Sequence, residues 1–364
     1  MSHDATIPTV DLADLRSSDP EAKRRASEAI LEGFGRYGLV YVRTHGVSDA
    51  GQLYDRFLDF CARPDAEKQP YNRGDLWYQR GWTPPNTEKA VVASGQPDFK
   101  ECWFAAPIPI DPSTVDEFPE IACANVWPEG DAGFAEEYTK IGAELHEAGL
   151  ALLRGAALAL GLDEHALVKG CEGAPHVFRL LRYLPLTQQQ IDDKVLWGEE
   201  HTDFNLLTLL PGGRFHAPDG SVSKAPDDRS GLYLRTRPTP EHPEGRMLRG
   251  SAPPGCIVAQ VGQQLEILSG GAFLATPHVI TAPGVPGWSR VSGAHFVHLH
   301  SREVLSPLPP FRTPEALRAY SPPVLAGTYG IKTLVDIELA PPSAIDKLGY
   351  RHYDRLASLR AQPA

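Results

Sequence analysis

The chain is short of several things that would mark familiar protein classes. Cysteine is sparse: five in 364 residues (Cys61, Cys102, Cys123, Cys171 and Cys256), with no CxxC pair. An odd, scattered set excludes a disulfide scaffold and points to a reduced, cytoplasmic protein. No base stands at a readable spacing from these thiols, so they give little support to nucleophilic catalysis. Long apolar runs are also missing, so no membrane span is expected. The opening MSHDATIPTVDL carries acids and a proline where a secretory signal needs an apolar stretch. Positive charge is short, with 35 Lys and Arg against 46 Asp and Glu and a net charge of −11. That balance argues against a nucleic-acid partner. No internal repeat is visible, and nothing in the sequence speaks to oligomeric state.

What is present is an ordinary globular composition, 42% hydrophobic and 22% charged. Thirty-three glycines and 34 prolines suit a fold with many turns and short strands. Near the start, Ile7 to Leu12 reads as a strand. Asp19-Pro20 supplies an N-cap and a first-turn proline, and Ala22, Ala26, Ile30 and Phe34 repeat at helical spacing. A second helix follows Ser48. The clearest helix spans about 132–160, with Phe134, Tyr138, Ile141, Leu145, Leu152 and Ala156 along one stripe, and Gly161 ends it. A shorter helix is predicted near 163–170 and another near 344–359. From Val177 onward short β-rich segments take over: 177–184, 203–210, 231–236, 256–260, 264–268, 273–280 and 290–299. Turn residues separate them, which suggests a sandwich or barrel. Residues 212–230 (GGRFHAPDGSVSKAPDDRS) are poor in apolar side chains and read as a mobile surface loop.

Three residues stand out for metal chemistry. His201 and Asp203 lie at i and i+2, so they share one side of an extended chain. His278, in ATPHVI, is the candidate third ligand. Two histidines and one carboxylate on one face leave open positions on an octahedral ion, the arrangement of non-haem Fe(II) oxygenases. An HxD alone arises often by chance, and its bland reading is a turn-capping His with an Asp bonded to backbone amides. A second signal is Arg290-Val291-Ser292. Arg290 and Ser292 share a strand face, and a guanidinium beside a hydroxyl makes a carboxylate receptor. Taken alone, this pair is more often a surface ion pair with a strand serine.

These elements occur together in the order of a known family. The chain resembles the isopenicillin N synthase-like branch of the Fe(II)/2-oxoglutarate-dependent dioxygenase superfamily. The likeness rests on IPTVDL, GRYGLVYVRTHGV (35–47), DFKECWF (98–104), NVWP (125–128), ALALGLDE (157–164), RYLP (182–185), HTDFNLLTLL, GLYLR, ATPHVI and RVS. It covers about residues 5–350. The resemblance implies a double-stranded β-helix (jelly-roll) core, mainly β with flanking helices and supported by the long helix. It implies an N-terminal mixed α/β region over 1–130, supporting helices and core over 131–312, and a helical and loop extension over 313–364, within one integrated domain. His201, Asp203 and His278 would hold Fe(II). Arg290, Ser292 and Tyr183 would face the distal carboxylate of 2-oxoglutarate.

The implied activity is oxidation of a C–H bond of a small organic molecule by O₂, with hydroxylation, desaturation or cyclisation as outcomes. Two alternatives stay open. One is an Fe(II)/O₂ oxidase that needs no 2-oxoglutarate, similar to isopenicillin N synthase, with Ser292 and Tyr183 on a substrate carboxylate. The other is an inactive jelly-roll binding module. The chain departs from the family pattern in the 212–230 insertion, a possible lid, and in Val279 where the family usually has Arg. His298 and His300 alternate on the last strand and could face the cavity, though solvent-facing strand histidines are the commoner case. Trp77, Tyr78, Gln79, Arg80 and Trp82 stand where the family lines its substrate pocket, and aromatics there serve equally well as core. Glu199 and Glu200 read as solvated or supporting acids, and His45 and His216 as turn and loop residues.

Overall fold

The computed structural model describes residues 7–87, 99–237 and 242–347. Fourteen strands build the two main sheets. In chain order they are β1 (Thr9–Asp11), β2 (Leu39–Arg43), β3 (Gly81–Thr83), β4 (Lys100–Ala105), β5 (Val177–Tyr183), β6 (Gly198–His201), β7 (Leu207–Leu210), β8 (Gly213–His216), β9 (Val222–Ser223), β10 (Gly231–Arg235), β11 (Met247–Arg249), β12 (Ile257–Val261), β13 (His278–Thr281) and β14 (Ser289–Val297). The larger sheet runs β1-β2-β12-β7-β14-β5-β4-β3, with β8 attached to β14 and β9 to β8. The smaller runs β11-β10-β13-β6. The two form the jelly-roll core. Four helices matter to the site and its support: α1 (Pro20–Arg36), α2 (Ala132–Ala159), α3 (Gln263–Leu268) and α4 (Ala326–Asp336). Among the described residues no helix is long and apolar enough to cross a membrane.

The helix α2 supports the larger sheet from outside. Asp131 caps it, its side chain accepting from the Phe134 amide. Its buried face alternates large residues with glycine and alanine, which lets backbone approach the strands closely. A Cβ at Gly149 would stand 2.9 Å from Val297 Cγ2 and 3.1 Å from a Leu209 methyl. Beneath its first turns lies an aromatic cluster. Trp103 is fully buried and meets Phe60 and Phe134 edge-on, with centroids 4.9 and 5.3 Å away. Each such side chain contributes about 2–3 kcal/mol by leaving water.

Strand β14 divides two cores. Val291 and Val297 belong to the outer core with α2, whereas Ala294 and Phe296 belong to the core between the sheets. The period-2 alternation of a strand therefore places Arg290, Ser292, Ala294 and Phe296 on the inner face. His295 points outward and meets His146 of α2, Nε2 to Nδ1 at 3.3 Å, beside the ring of His176.

Several expectations change. Residues 264–268 are the helix α3, not a strand. Gln264, Leu265 and Leu268 are the buried positions, an i, i+1, i+4 pattern that matches a helical turn. Only His278–Thr281 of the 273–280 segment is a strand. The 163–170 segment holds turns and a short 3-10 helix at Lys169–Cys171. Residues 212–230 are not simply a mobile loop. Gly213–His216 pairs with Ser289–Ser292, and Val222–Ser223 folds back on it. Phe215 and Arg214 drive this: Phe215 packs near Trp197, and Arg214 donates to the Gly51 carbonyl. A helix stands at Ser343–Lys347, and the rest of the expected 344–359 helix lies outside the described residues.

The buried histidines set an acid limit on stability. Burial pushes His146 down to about 4, and it pushes His176 and His295 well below the usual imidazole value. The unfolded chain binds these protons below pH 6.5 and the folded chain does not, so stability is complete above about pH 6.5 and falls as pH drops toward 4. Each histidine contributes up to about 1.4 kcal/mol per pH unit in that window. Urea unfolding followed at pH 7, 6 and 5 should show this decline. A flat profile would remove the argument.

Candidate metal centre

Two strands of the smaller sheet bring the metal candidates together. The register sets His278 of β13 directly opposite His201 of β6. Their rings lie 4.4 Å apart. His201 closes β6 and Asp203 follows in the loop after it, so the strand expected over 203–210 begins only at Leu207. The Asp203 carboxylate still turns to the same point. Its Oδ1 lies 3.7 Å from His201 Nε2 and 3.9 Å from His278 Nε2. Among the described residues, this is the group of three His, Cys, Asp or Glu side chains whose donor atoms converge within 4.8 Å.

Supporting hydrogen bonds decide which atoms face the centre. The Nδ1 of His201 lies 2.7 Å from the Glu199 carbonyl, so it carries the proton and leaves Nε2 as the donor. The Nδ1 of His278 lies 2.5 Å from the Gln260 side-chain amide and 3.3 Å from the Thr276 carbonyl. Thr208 donates to Asp203 Oδ2 at 2.6 Å and receives a bond from Asn205. Oδ1 is thereby left for the metal. His278 is buried, and burial together with the neighbouring His201 pushes it down to about 4, against the opposing pull of Asp203. It is neutral near pH 7, as a metal ligand must be. The His201 side chain is 41% exposed and Asp203 10%, so the centre opens on one side. The donor set of two neutral imidazoles and one carboxylate, with open positions, fits Fe(II).

Inside the larger sheet, Arg290 stands opposite Tyr183 and Ser292 opposite Leu181. The Arg290 guanidinium lies over the rings of Tyr183 (5.5 Å) and Phe215 (5.8 Å) and donates to Ser292 Oγ at 3.3 Å. It has no carboxylate partner among the described residues. Tyr183 stacks on Trp197, whose indole N–H donates to the Leu184 carbonyl. Phe104, Leu181, Ala294 and Ile280 pack around it, and the buried Lys100 of β4 stands opposite Tyr183.

A chain of contacts ties α4 to the metal loop. The Tyr329 hydroxyl donates to Gln263, whose side chain donates to Thr202 Oγ1 at 2.6 Å. The Gln263 backbone N–H donates to the Asp203 carbonyl at 2.7 Å. Beside this clamp, Tyr320, Glu266 and Lys332 border a cleft of about 500 Å³.

Other candidates fall elsewhere. Glu200 pairs with Arg235 at 2.9 Å, and Glu199 serves His201 through its backbone. His45 accepts from the Val47 amide in a turn, and His216 ends β8. Arg80 is fully buried and donates to carbonyls of Gln79, Ile121 and Cys123, while Trp82 donates to Glu101. Trp77 joins an apolar cluster with Phe118 and Leu334. Of that aromatic stretch, Gln79 reaches a cavity near the centre. His300 bonds Asp111 at 3.1 Å, beyond the end of β14, and His298 is buried; neither is a solvent-facing strand histidine. The cysteines are all free. Sequence reasoning passed over Thr208, Gln260 and Gln263. Thr208 was the one visible signal, a lone hydroxyl in the apolar run LLTLL.

Similarity to known proteins agrees with this architecture. The family described as non-haem dioxygenase in morphine synthesis N-terminal matches residues 7–130. Over most of its length the chain is similar to 2-oxoglutarate-dependent dioxygenases, and it shares their fold. A leucoanthocyanidin dioxygenase of Malus domestica is 25% identical over 75% of this chain and 68% of its own length. A 2-oxoglutarate-dependent dioxygenase of Aspergillus flavus is 27% identical over 86% of this chain and 90% of its own. Among solved structures, a full-length Neurospora crassa protein in complex with alpha-KG superimposes with a TM-score of 0.73 at 21% identity, covering 92% of this chain and 98% of that one. A 2OG-Fe(II) oxygenase family protein from Caulobacter crescentus gives 0.71 at 24%, covering 92% and 99%.

Replacing Thr208 with Val removes the donor that orients Asp203. Metal affinity should fall about ten- to hundredfold, the usual effect of losing such a support. A competitive chelator titration of the folded variant measures this. Unchanged affinity would mean Asp203 is held by other contacts.

Proposed function

We propose that the protein is an Fe(II)- and 2-oxoglutarate-dependent oxygenase in which His201, Asp203 and His278 hold the metal, and Arg290, Ser292 and Tyr183 line the cosubstrate site. The observation that carries the cosubstrate assignment is Arg290. It is a half-buried guanidinium on the interior face of β14, bonded to Ser292 Oγ and lacking a carboxylate partner among the described residues. A buried charge of this kind costs free energy unless an anion meets it. The distal carboxylate of 2-oxoglutarate is such an anion, and the fork of donors suits it.

The bound metal and cosubstrate supply the oxidation of a C–H bond by O₂. The chain supplies everything else. Tyr183 and Phe215 flank the guanidinium and keep it from turning to solvent. Thr208 and the Glu199 carbonyl fix the ligand atoms. The apolar lining around Trp197 and Ile280 keeps water away from the site. The substrate is a free small molecule and not a nucleic acid, a reading supported by the net charge of −11. Free thiols throughout support a cytoplasmic setting.

Anaerobic titration of the apoprotein with Fe(II), with and without 2-oxoglutarate, tests the proposal by visible absorption. A weak charge-transfer band should appear with both and not with iron alone. Tight iron binding without a band would favour the oxidase that uses O₂ without 2-oxoglutarate. Arg290→Leu should raise the 2-oxoglutarate concentration needed for the band by at least about thirtyfold, since truncating one partner of a buried charge pair costs about 2 kcal/mol or more. A band that forms equally well in this variant would remove Arg290 from the site.

A further inference from the structure

The cleft beside the clamp of Tyr329, Gln263 and Thr202 is a second concave site. It measures about 500 Å³, a size that suits a small organic molecule. Three parts of the chain supply most of its wall: α3, α4 and the segment 319–324. Thr202 borders it, but none of His201, Asp203 and His278 does. An occupant is therefore held apart from the metal donors.

Glu266 of α3 is the anchor of this cleft. Its Oε2 accepts from the Ala275 amide at 2.8 Å and its Oε1 from the Tyr320 hydroxyl at 2.9 Å, so the carboxylate is fixed in one orientation. Gly271 makes room for that tyrosine, since a Cβ there would lie 2.8 Å from its hydroxyl oxygen. No cation stands within ion-pair distance of Glu266 among the described residues. Across the cleft wall, the Tyr329 hydroxyl donates to Gln263. Burial and then the charge of Glu266 push both tyrosine hydroxyls up to about 12, so each keeps the proton it donates. The remaining lone pairs of the carboxylate and the two hydroxyl oxygens are acceptors for an occupant. Ile267, Leu305, Pro322 and Val324 make the apolar part of the wall.

The cations nearby are spent or stand outside. Lys332 borders the cleft, but its ammonium pairs with Asp336 one turn further along α4. Arg237 acts on Tyr320 and does not line the cleft. The unmatched charge of the lining is thus negative. An entering anion would meet a carboxylate with no free cation to offset it. An ammonium brings three donors to a set of acceptors, and tyrosine rings attract it as well.

We infer that this cleft is an accessory binding site for a small protonated amine with an apolar body, its ammonium meeting Glu266 and the hydroxyl oxygens of Tyr320 and Tyr329, and its body packing on Ile267, Leu305 and Val324. The occupant is not the compound to be oxidised, because the metal donors do not border the cleft. The inference stands whether or not the oxygenase reading does.

The test is calorimetric titration of the full chain, metal-free and, under anaerobic conditions, with Fe(II). The probes are hexylamine, hexanol and hexanoate, which share a body and differ in charge. Hexylamine should bind one per chain in both forms, at least about tenfold more tightly than hexanol, the size of one charge-assisted hydrogen bond. Hexanoate should not displace it. Glu266→Gln should weaken hexylamine binding at least about tenfold for the same reason. Ala319→Phe fills the cleft from its exposed rim with Glu266 in place, and it should weaken binding as much. Its melting curve shows that it folds, so it decides the matter if Glu266→Gln does not. A net charge of −11 draws any ammonium weakly to the surface. Ala319→Phe leaves that attraction untouched, so equal binding by this variant would overturn the inference. The same holds if hexylamine binds only with iron, binds no better than hexanol, gives way to hexanoate, or does not bind at all.

Discussion

The opposition of His201 and His278 across two antiparallel strands is the constraint on which the site depends. Register in a sheet is all or nothing, since a slip of one residue turns every side chain to the other face. A slip here would place Val279 or Glu200 where His278 or His201 now stands. The sheet therefore cannot pair wrongly and keep the site. The irregularity between His278 and Ile280 is confined to the residues just past the ligand pair. Asp203, the third member of the group, needs no register of its own because Thr208 and Gln263 hold its loop.

Strand β14 performs the corresponding task in the other sheet. Its outward side meets α2, and the fit there is tight enough that Gly149 has no room for a methyl group. Its inward side carries Arg290, Ser292 and, past its end, His298. The helix thus holds the very strand that presents a guanidinium at one end of the interior and an imidazole at the other. Packing on one face fixes spacing on the other, because a strand rises by a constant amount per residue. This is how a core built from valine and leucine governs the distance between two polar contacts.

Much of this was legible in the residue order. The long helix announced itself by its stripe from Phe134 to Ala156 and its bounds nearly match those observed. The HTD motif and ATPHVI pointed to residues whose donor atoms the fold brings within 4.8 Å of one another, and RVS to a pair on one strand face. What escaped detection depended on partners distant in sequence. The six-residue α3 reads as a strand because its apolar residues are few, and only tertiary packing reveals the helical period. The Gly213–His216 strand hides in a polar tract, since its order comes from pairing with β14 and from Phe215 beneath Arg290. His298 seemed an ordinary strand histidine because burial cannot be read from alternation alone. Gln263 gave no signal at all: its role requires Thr202 and Tyr329, which meet only in the folded chain.

That last contact bears on how the protein matures. Tyr329 sits on α4, which follows every strand of the two main sheets. Through Gln263 it grips the loop that carries Asp203. During synthesis the strands emerge first, and the clamp cannot close until α4 has left the ribosome. The loop that carries Asp203 is thus locked late, after the sheets that frame it exist. A chain stalled before α4 would carry His201, Asp203 and His278 without the brace, and their arrangement would be firm only on the finished fold.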